Sequence, residues 1–118
     1  MFLQLSHTKL DVFSVTRNFV LSCYEQTRSF PSEEKFGITS QIRRAALSVL
    51  LNLVEGCSRR SFAERKRFYE IARGSLIEVD TAFDIAAQLH FTSNEKLAEL
   101  GTLIIRSFQL LSKMIRNE

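Results

Sequence analysis

Residues 36–56 of this chain form a helical pattern whose apolar side chains run nearly all the way round. Ile38, Ile42, Ala45, Val49, Leu53 and Gly56 trace one face, and Leu47, Leu50, Leu51 and Val54 trace another. A surface helix needs one apolar stripe about 100° wide, so a second face demands a second cover. The pattern implies burial on two sides, by the rest of the chain and by another copy of it. Between the two faces runs a polar line of Gln41, Arg44, Ser48, Asn52 and Glu55, spaced three to four residues apart and therefore on one side of the helix.

The remaining pattern is helical too. Val12, Thr16, Phe19 and Cys23, widened by Phe13, Val20 and Tyr24, mark a helix over about 9–28. Pro31 disfavours helix at Phe30, and the segment from Ser29 to Gly37 reads as a connector with one helical turn. The second helix is expected over 39–56, with Thr39 or Ser40 as its N-cap and Gly56 at its end. Ser61-Phe-Ala-Glu64 is a capping-box pattern, in which hydroxyl and carboxylate satisfy free amides at a helix start. It opens a third helix over 62–90, with Tyr69, Ala72, Leu76, Val79, Phe83 and Ala86 as its seam. Thr92-Ser-Asn-Glu95 repeats the capping pattern ahead of a fourth helix over 94–116, striped by Leu97, Leu100, Ile104, Phe108, Leu111 and Ile115. Connections of a few residues on either side of the third helix force antiparallel neighbours. The expected fold is all-α, an antiparallel up-down four-helix bundle, with no strand pattern or internal repeat.

Its 118 residues suffice for one domain, 1–118, with a core that needs neither disulfide nor metal. Four Gly, one Pro and ten Phe argue against a disordered or loop-rich chain. Cys23 and Cys57 have no partner at metal-ligand spacing, which fits two reduced thiols in a cytoplasmic protein. No export signal is visible at the start, and His7 falls in a segment expected to be disordered. The most apolar run, Ala45 to Val54, is about half of the ~20 residues a membrane span requires, so no membrane role is expected.

Phe30-Pro31, Gly37 to Ala46, Ser48, Asn52 to Gly56, Phe68, Ala72 and Gly74-Ser75-Leu-Ile-Glu78 stand in an order that closely resembles one family. It is the four-helix bundle family named after proteins encoded in intervening sequences of bacterial 23S ribosomal RNA genes, and the resemblance spans about residues 10–115. It implies an antiparallel bundle that assembles as a homopentamer, like related accessory proteins of diversity-generating retroelements, which bind nucleic acid and a reverse transcriptase. It implies no enzymatic activity and no cofactor. The chain departs from the commoner pattern at Val49-Leu50-Leu51, where an Ile-Pro pair often follows the serine; the swap removes a kink.

Charge points to a place for nucleic acid. Arg43, Arg44, Arg59, Arg60, Arg65, Lys66, Arg67 and Arg73 face only Glu55, Glu64 and Glu70 over that stretch, whereas the whole chain carries +3. Arg59, Arg60, Arg65, Lys66 and Arg67 gather around the turn between the second and third helices, where clustered cations contact phosphates without reading sequence. Phe62, Phe68 and Tyr69 are interleaved with them, where aromatic rings can stack on bases, but at this spacing Phe68 and Tyr69 read as core. The polar line reads as structural: packed antiparallel, Arg44 comes level with Ser75 and Glu78, and an Arg44–Glu78 pair, buried or interfacial, would fix register. Gly74 implies a helix backbone passing close by. No catalytic constellation or metal site emerges from His7, His90, the two cysteines or the scattered carboxylates. Two functions remain: a homo-oligomeric accessory protein binding RNA or DNA, or a protein-binding scaffold whose basic end is incidental.

Overall fold

A computed structural model describes residues 1–116. Four α-helices carry the fold: α1 (Asp11–Thr27), α2 (Ile38–Cys57), α3 (Phe62–Gln88) and α4 (Ala98–Arg116). Short 3-10 turns at Ser6–Lys9 and Ser32–Glu34 precede α1 and α2, and no strand occurs among the described residues. Each helix packs on two others: α2 on α3 most extensively, α1 on α2 and α4, and α3 on α4. Among the described residues no helix is long and apolar enough to cross a membrane.

The stripes meet in one core. Phe19, Ile42, Val49, Leu53, Leu76, Val79, Leu100 and Leu111 are fully buried, and every residue of the α3 seam from Tyr69 to Ala86 is inside. Buried Thr16 and Thr27 donate their hydroxyls to the Val12 and Cys23 carbonyls of α1 at 2.6 and 2.8 Å, so neither leaves a polar group without a partner. The second apolar face of α2 is only part-covered by its own chain. Leu50 and Val54 are half-buried, and Leu47 and Leu51 stay exposed.

Helix ends differ from the expected ones for identifiable reasons. At α2 the N-cap is Gly37, not Thr39 or Ser40, and the Glu34 carboxylate accepts from the Ile38 amide at 3.3 Å. At α3, Ser61 caps as the pattern predicts, its hydroxyl accepting from the Glu64 amide at 3.2 Å. Ahead of α4 the cap is Ser93 rather than Thr92, taking the Lys96 amide at 3.3 Å, and turns intervene before the helix proper at Ala98. At the chain start His7 packs edge-on against Phe13 with ring centroids 5.4 Å apart.

The C-terminus of α3 closes with a Schellman motif. Phe91 N–H donates to Ala86 O at 2.9 Å and His90 N–H to Ala87 O at 3.0 Å, which forces His90 to φ 65°. Phe91 then packs on Phe30, which also meets Phe83, so the ring of Phe30 locks the connector to the end of the bundle. Gly56 does not end α2 in the left-handed conformation; the helix continues to Cys57. Its missing side chain makes room instead, since a Cβ there would lie 2.7 and 2.9 Å from Tyr69 ring carbons and 3.0 Å from Phe68 Cβ. Gly74 is the reverse case, with nothing within 4 Å of its Cβ position, so the close neighbour expected for it is absent from the chain's described residues.

Two stability changes follow. His90→Gly relieves a left-handed non-glycine residue and raises the unfolding free energy by about 1 kcal/mol. Gly56→Ala forces the Tyr69 ring aside and lowers it by about 1–2 kcal/mol even after alanine's better helix propensity. Urea denaturation of both variants against the parent reads the two opposite signs.

Candidate nucleic-acid interface at the α2–α3 turn

The five cations of the turn divide by use. Arg59 pairs with Glu55 one helical turn back and lays its guanidinium over Phe68, 4.9 Å from the ring centroid. Both partners of that ion pair are about half exposed, so it contributes at most about 1 kcal/mol. Arg65 reaches back from the first turn of α3, and its Nη1 donates to Arg59 O at 3.0 Å and Arg60 O at 2.6 Å. Carbonyls past the end of a helix collect partial negative charge, and a guanidinium is suited to satisfying two at once. Arg65 thus holds the turn shut. Arg60, Lys66 and Arg67 are exposed and make no ion pair among the described residues.

The aromatic residues of this end are occupied. Tyr69 is buried, Phe62 and Phe68 are half-buried, and Phe68 is covered by Arg59. Cys57 Sγ accepts from the Tyr69 hydroxyl at 3.8 Å. Burial pushes the Cys57 thiol and the Tyr69 phenol up from their usual pKa, and Cys23, buried in α1, is pushed up to about 12. Both cysteines are therefore held as thiols, poor nucleophiles at neutral pH. Among the described residues no three His, Cys, Asp or Glu lie together to hold a metal ion.

Other arginines of the basic stretch belong elsewhere. Arg43 Nε donates to Thr27 Oγ1 at 2.9 Å and Nη2 to Tyr24 O at 3.3 Å, with the guanidinium 4.8 Å from the Tyr24 ring centroid. It ties α2 to the C-terminal turn of α1, a role the sequence did not disclose. Arg73 Nη1 donates to Ser112 Oγ at 3.1 Å and lies over Phe108, which links α3 to α4.

In the polar line the middle members come together. The Ser48 and Ser75 hydroxyls lie 3.0 Å apart across α2 and α3, and Asn52 Nδ2 donates to Ser48 O and Oγ at 2.9 and 3.0 Å. Gln41, Arg44, Glu55 and Glu78 are exposed. The Arg44–Glu78 pair is not buried and does not form within the subunit among the described residues; both side chains point to solvent instead of across the helix contact.

The profile of the 23S rRNA-intervening sequence protein family matches residues 8–115. A crystal structure of a protein of unknown function from the S23 ribosomal protein family of Bacteroides thetaiotaomicron VPI-5482 superposes with a TM-score of 0.80 at 17% identity. The match covers 90% of this chain and 99% of that one, and at this identity it speaks to the fold alone. No curated protein matches the sequence.

The division of labour among the cations sets an expectation. Arg65→Ala strips two carbonyls of a charged donor and costs about 1 kcal/mol of stability, whereas Lys66→Ala and Arg67→Ala stay within about 0.5 kcal/mol of the parent. Thermal melts of the three variants, followed by circular dichroism, check the contrast.

Proposed function

The chain belongs to the 23S rRNA-intervening sequence protein family, and on that premise we propose a non-enzymatic, cytoplasmic accessory protein that binds RNA or DNA through phosphates at the α2–α3 turn. Its single domain is an antiparallel up-down four-helix bundle that assembles as a homopentamer. The antiparallel order is supported by level pairs along α2 and α3: Gly56 stands against Tyr69, and Ser48, two turns earlier, against Ser75, one and a half turns later. Assembly is supported by the uncovered leucines of α2, and the number five by the resemblance to retroelement accessory proteins.

The observation that carries the nucleic-acid reading is the exposed trio of Arg60, on a turn pinned by Arg59 and Arg65, with Lys66 and Arg67 at the start of α3 beside it. Cations without intramolecular carboxylate partners keep their full attraction for phosphate, and a pinned backbone presents them without a backbone ordering cost, leaving only that of their side chains. Repetition around a ring multiplies a weak contact into useful avidity. The competing reading, a protein-binding scaffold, draws on the apolar residues exposed on α3 and α4, among them Ile77, Ile105 and Phe108.

Fluorescence anisotropy with generic single-stranded RNA and DNA at two salt concentrations separates the two. Binding should weaken steeply with salt, and replacing Arg60, Lys66 and Arg67 together with Ala should flatten the log–log slope by about 2 per subunit engaged. Absence of binding at low salt leaves the scaffold reading standing alone.

A further inference from the structure

Between α3 and α4 runs an open groove of about 520 Å³, floored by Leu76 and Ile104 and flanked by Ile77, Ile105 and Phe108. The three flanking side chains remain 39–61% exposed, a cluster larger than scattered surface apolar residues explain. Asp80 borders this groove and, with Asp84, an adjoining hollow where Gly101 takes the place of a larger residue. Both aspartates are exposed and unpaired among the described residues.

Two helical glycines lie near the groove's flanking residues in sequence. Gly74 lies one turn before Ile77 on α3, and Gly101 one turn before Ile105 on α4. A Cβ at either position would meet nothing within 4 Å. Glycine in a helix interior costs about 0.5–1 kcal/mol relative to alanine, and no contact inside the subunit accounts for either. A second helix backbone arriving from outside would use that space.

The chain itself displays a helix of the matching chemistry. On the outer side of α2, opposite buried Val49 and Leu53, stand Arg44, Leu47 and Leu51 at spacings of three and four. Leu47 and Leu51 are exposed, and Arg44 has no ion-pair partner among the described residues. We propose that this stripe of one copy seats in the α3–α4 groove of the next, Leu47 and Leu51 against Ile77, Ile105 and Phe108, and Arg44 toward Asp80 and Asp84. Apolar anchors at helical spacing in an apolar groove are a recurrent docking mode, and the opposite charges fix its orientation. The two surfaces differ, so the contact is heterologous: every copy offers one stripe and one groove, and repetition closes into a ring. The inference rests on the homo-oligomer reading above and supplies its interface.

Light scattering on Leu47→Glu and Ile105→Glu variants tests it. Each variant alone should fall to the mass of one chain, because each lacks one half of every contact. An equimolar mixture should yield a dimer with one copy of each, since the Leu47→Glu chain keeps its groove and the Ile105→Glu chain keeps its stripe. Variants that still assemble like the parent, or a mixture that stays monomeric, overturn the interface while leaving the homo-oligomer intact. A parent chain that is monomeric overturns both. Circular dichroism verifies folding; should a glutamate disrupt it, Arg44→Asp and Asp80→Arg replace the pair, each weakening assembly about 10-fold and the double variant restoring it.

Discussion

The close approach of α2 and α3 at Gly56 is the contact on which the basic end of the molecule depends. With no side chain at Gly56, the Tyr69 ring and the Phe68 Cβ stand where a methyl group would collide. That proximity brings the last turn of α2 and the first turn of α3 together and leaves only residues 58–61 to connect them. Arg65 can then reach the carbonyls of Arg59 and Arg60, and Arg59 can cover Phe68. One missing methyl group thus precedes the clamp, and the clamp precedes the presentation of the remaining cations. A wider helix separation would keep the same charges and lose their fixed arrangement.

The same helix pair shows how this bundle uses polar groups to set register. Ser48, Asn52 and Ser75 form a chain of hydrogen bonds at the side of the α2–α3 contact, half-buried and mutually satisfied. Small hydroxyls there permit close packing and give one register a partner that a shifted register would lack. Arg43 and Arg73 work at longer range, each joining its helix to a different neighbour through a hydroxyl and an aromatic face. The arginines of the basic stretch therefore have three uses: joining helices, closing the turn, and facing solvent. Net charge cannot distinguish among them, because a guanidinium spent on a carbonyl still counts as +1.

The seam of α3 was legible because six residues at spacings of three and four can face only one way along a helix, and Ser61 because its capping pattern acts over three residues. The N-cap of α2 was not, since its acceptor is the Glu34 carboxylate, which reaches Ile38 from a preceding turn whose geometry only the fold supplies. His90 at positive φ was hidden for a similar reason: the Schellman bonds to Ala86 and Ala87 override its intrinsic preference. In the candidate site the five cations of the turn were visible as a cluster, but their division into clamp and exposed trio depends on two carbonyl oxygens that no side-chain pattern encodes.

The positions of Arg44 and of the α2 leucines share one origin in the doubly apolar pattern of residues 36–56. A helix apolar on two faces needed two covers, and the bundle supplies only one fully, through Ile42, Val49 and Leu53. Leu50 and Val54 are half-covered at its edge, and Leu47 and Leu51 are left out. Arg44 shares that outer side, so it was never placed to meet Glu78 across the α2–α3 contact. The absence of a buried Arg44–Glu78 pair and the residue pattern have the same cause: the line from Gln41 to Glu55 spans more than one environment, its middle turned to α3 and Arg44 turned to the outside. An exposed arginine beside exposed leucines on a helix that already fills its own core is a surface whose remaining chemistry must be satisfied by water or by another chain. Burying what remains exposed of two already half-covered leucines favours the second by roughly 1 kcal/mol each before association costs are met.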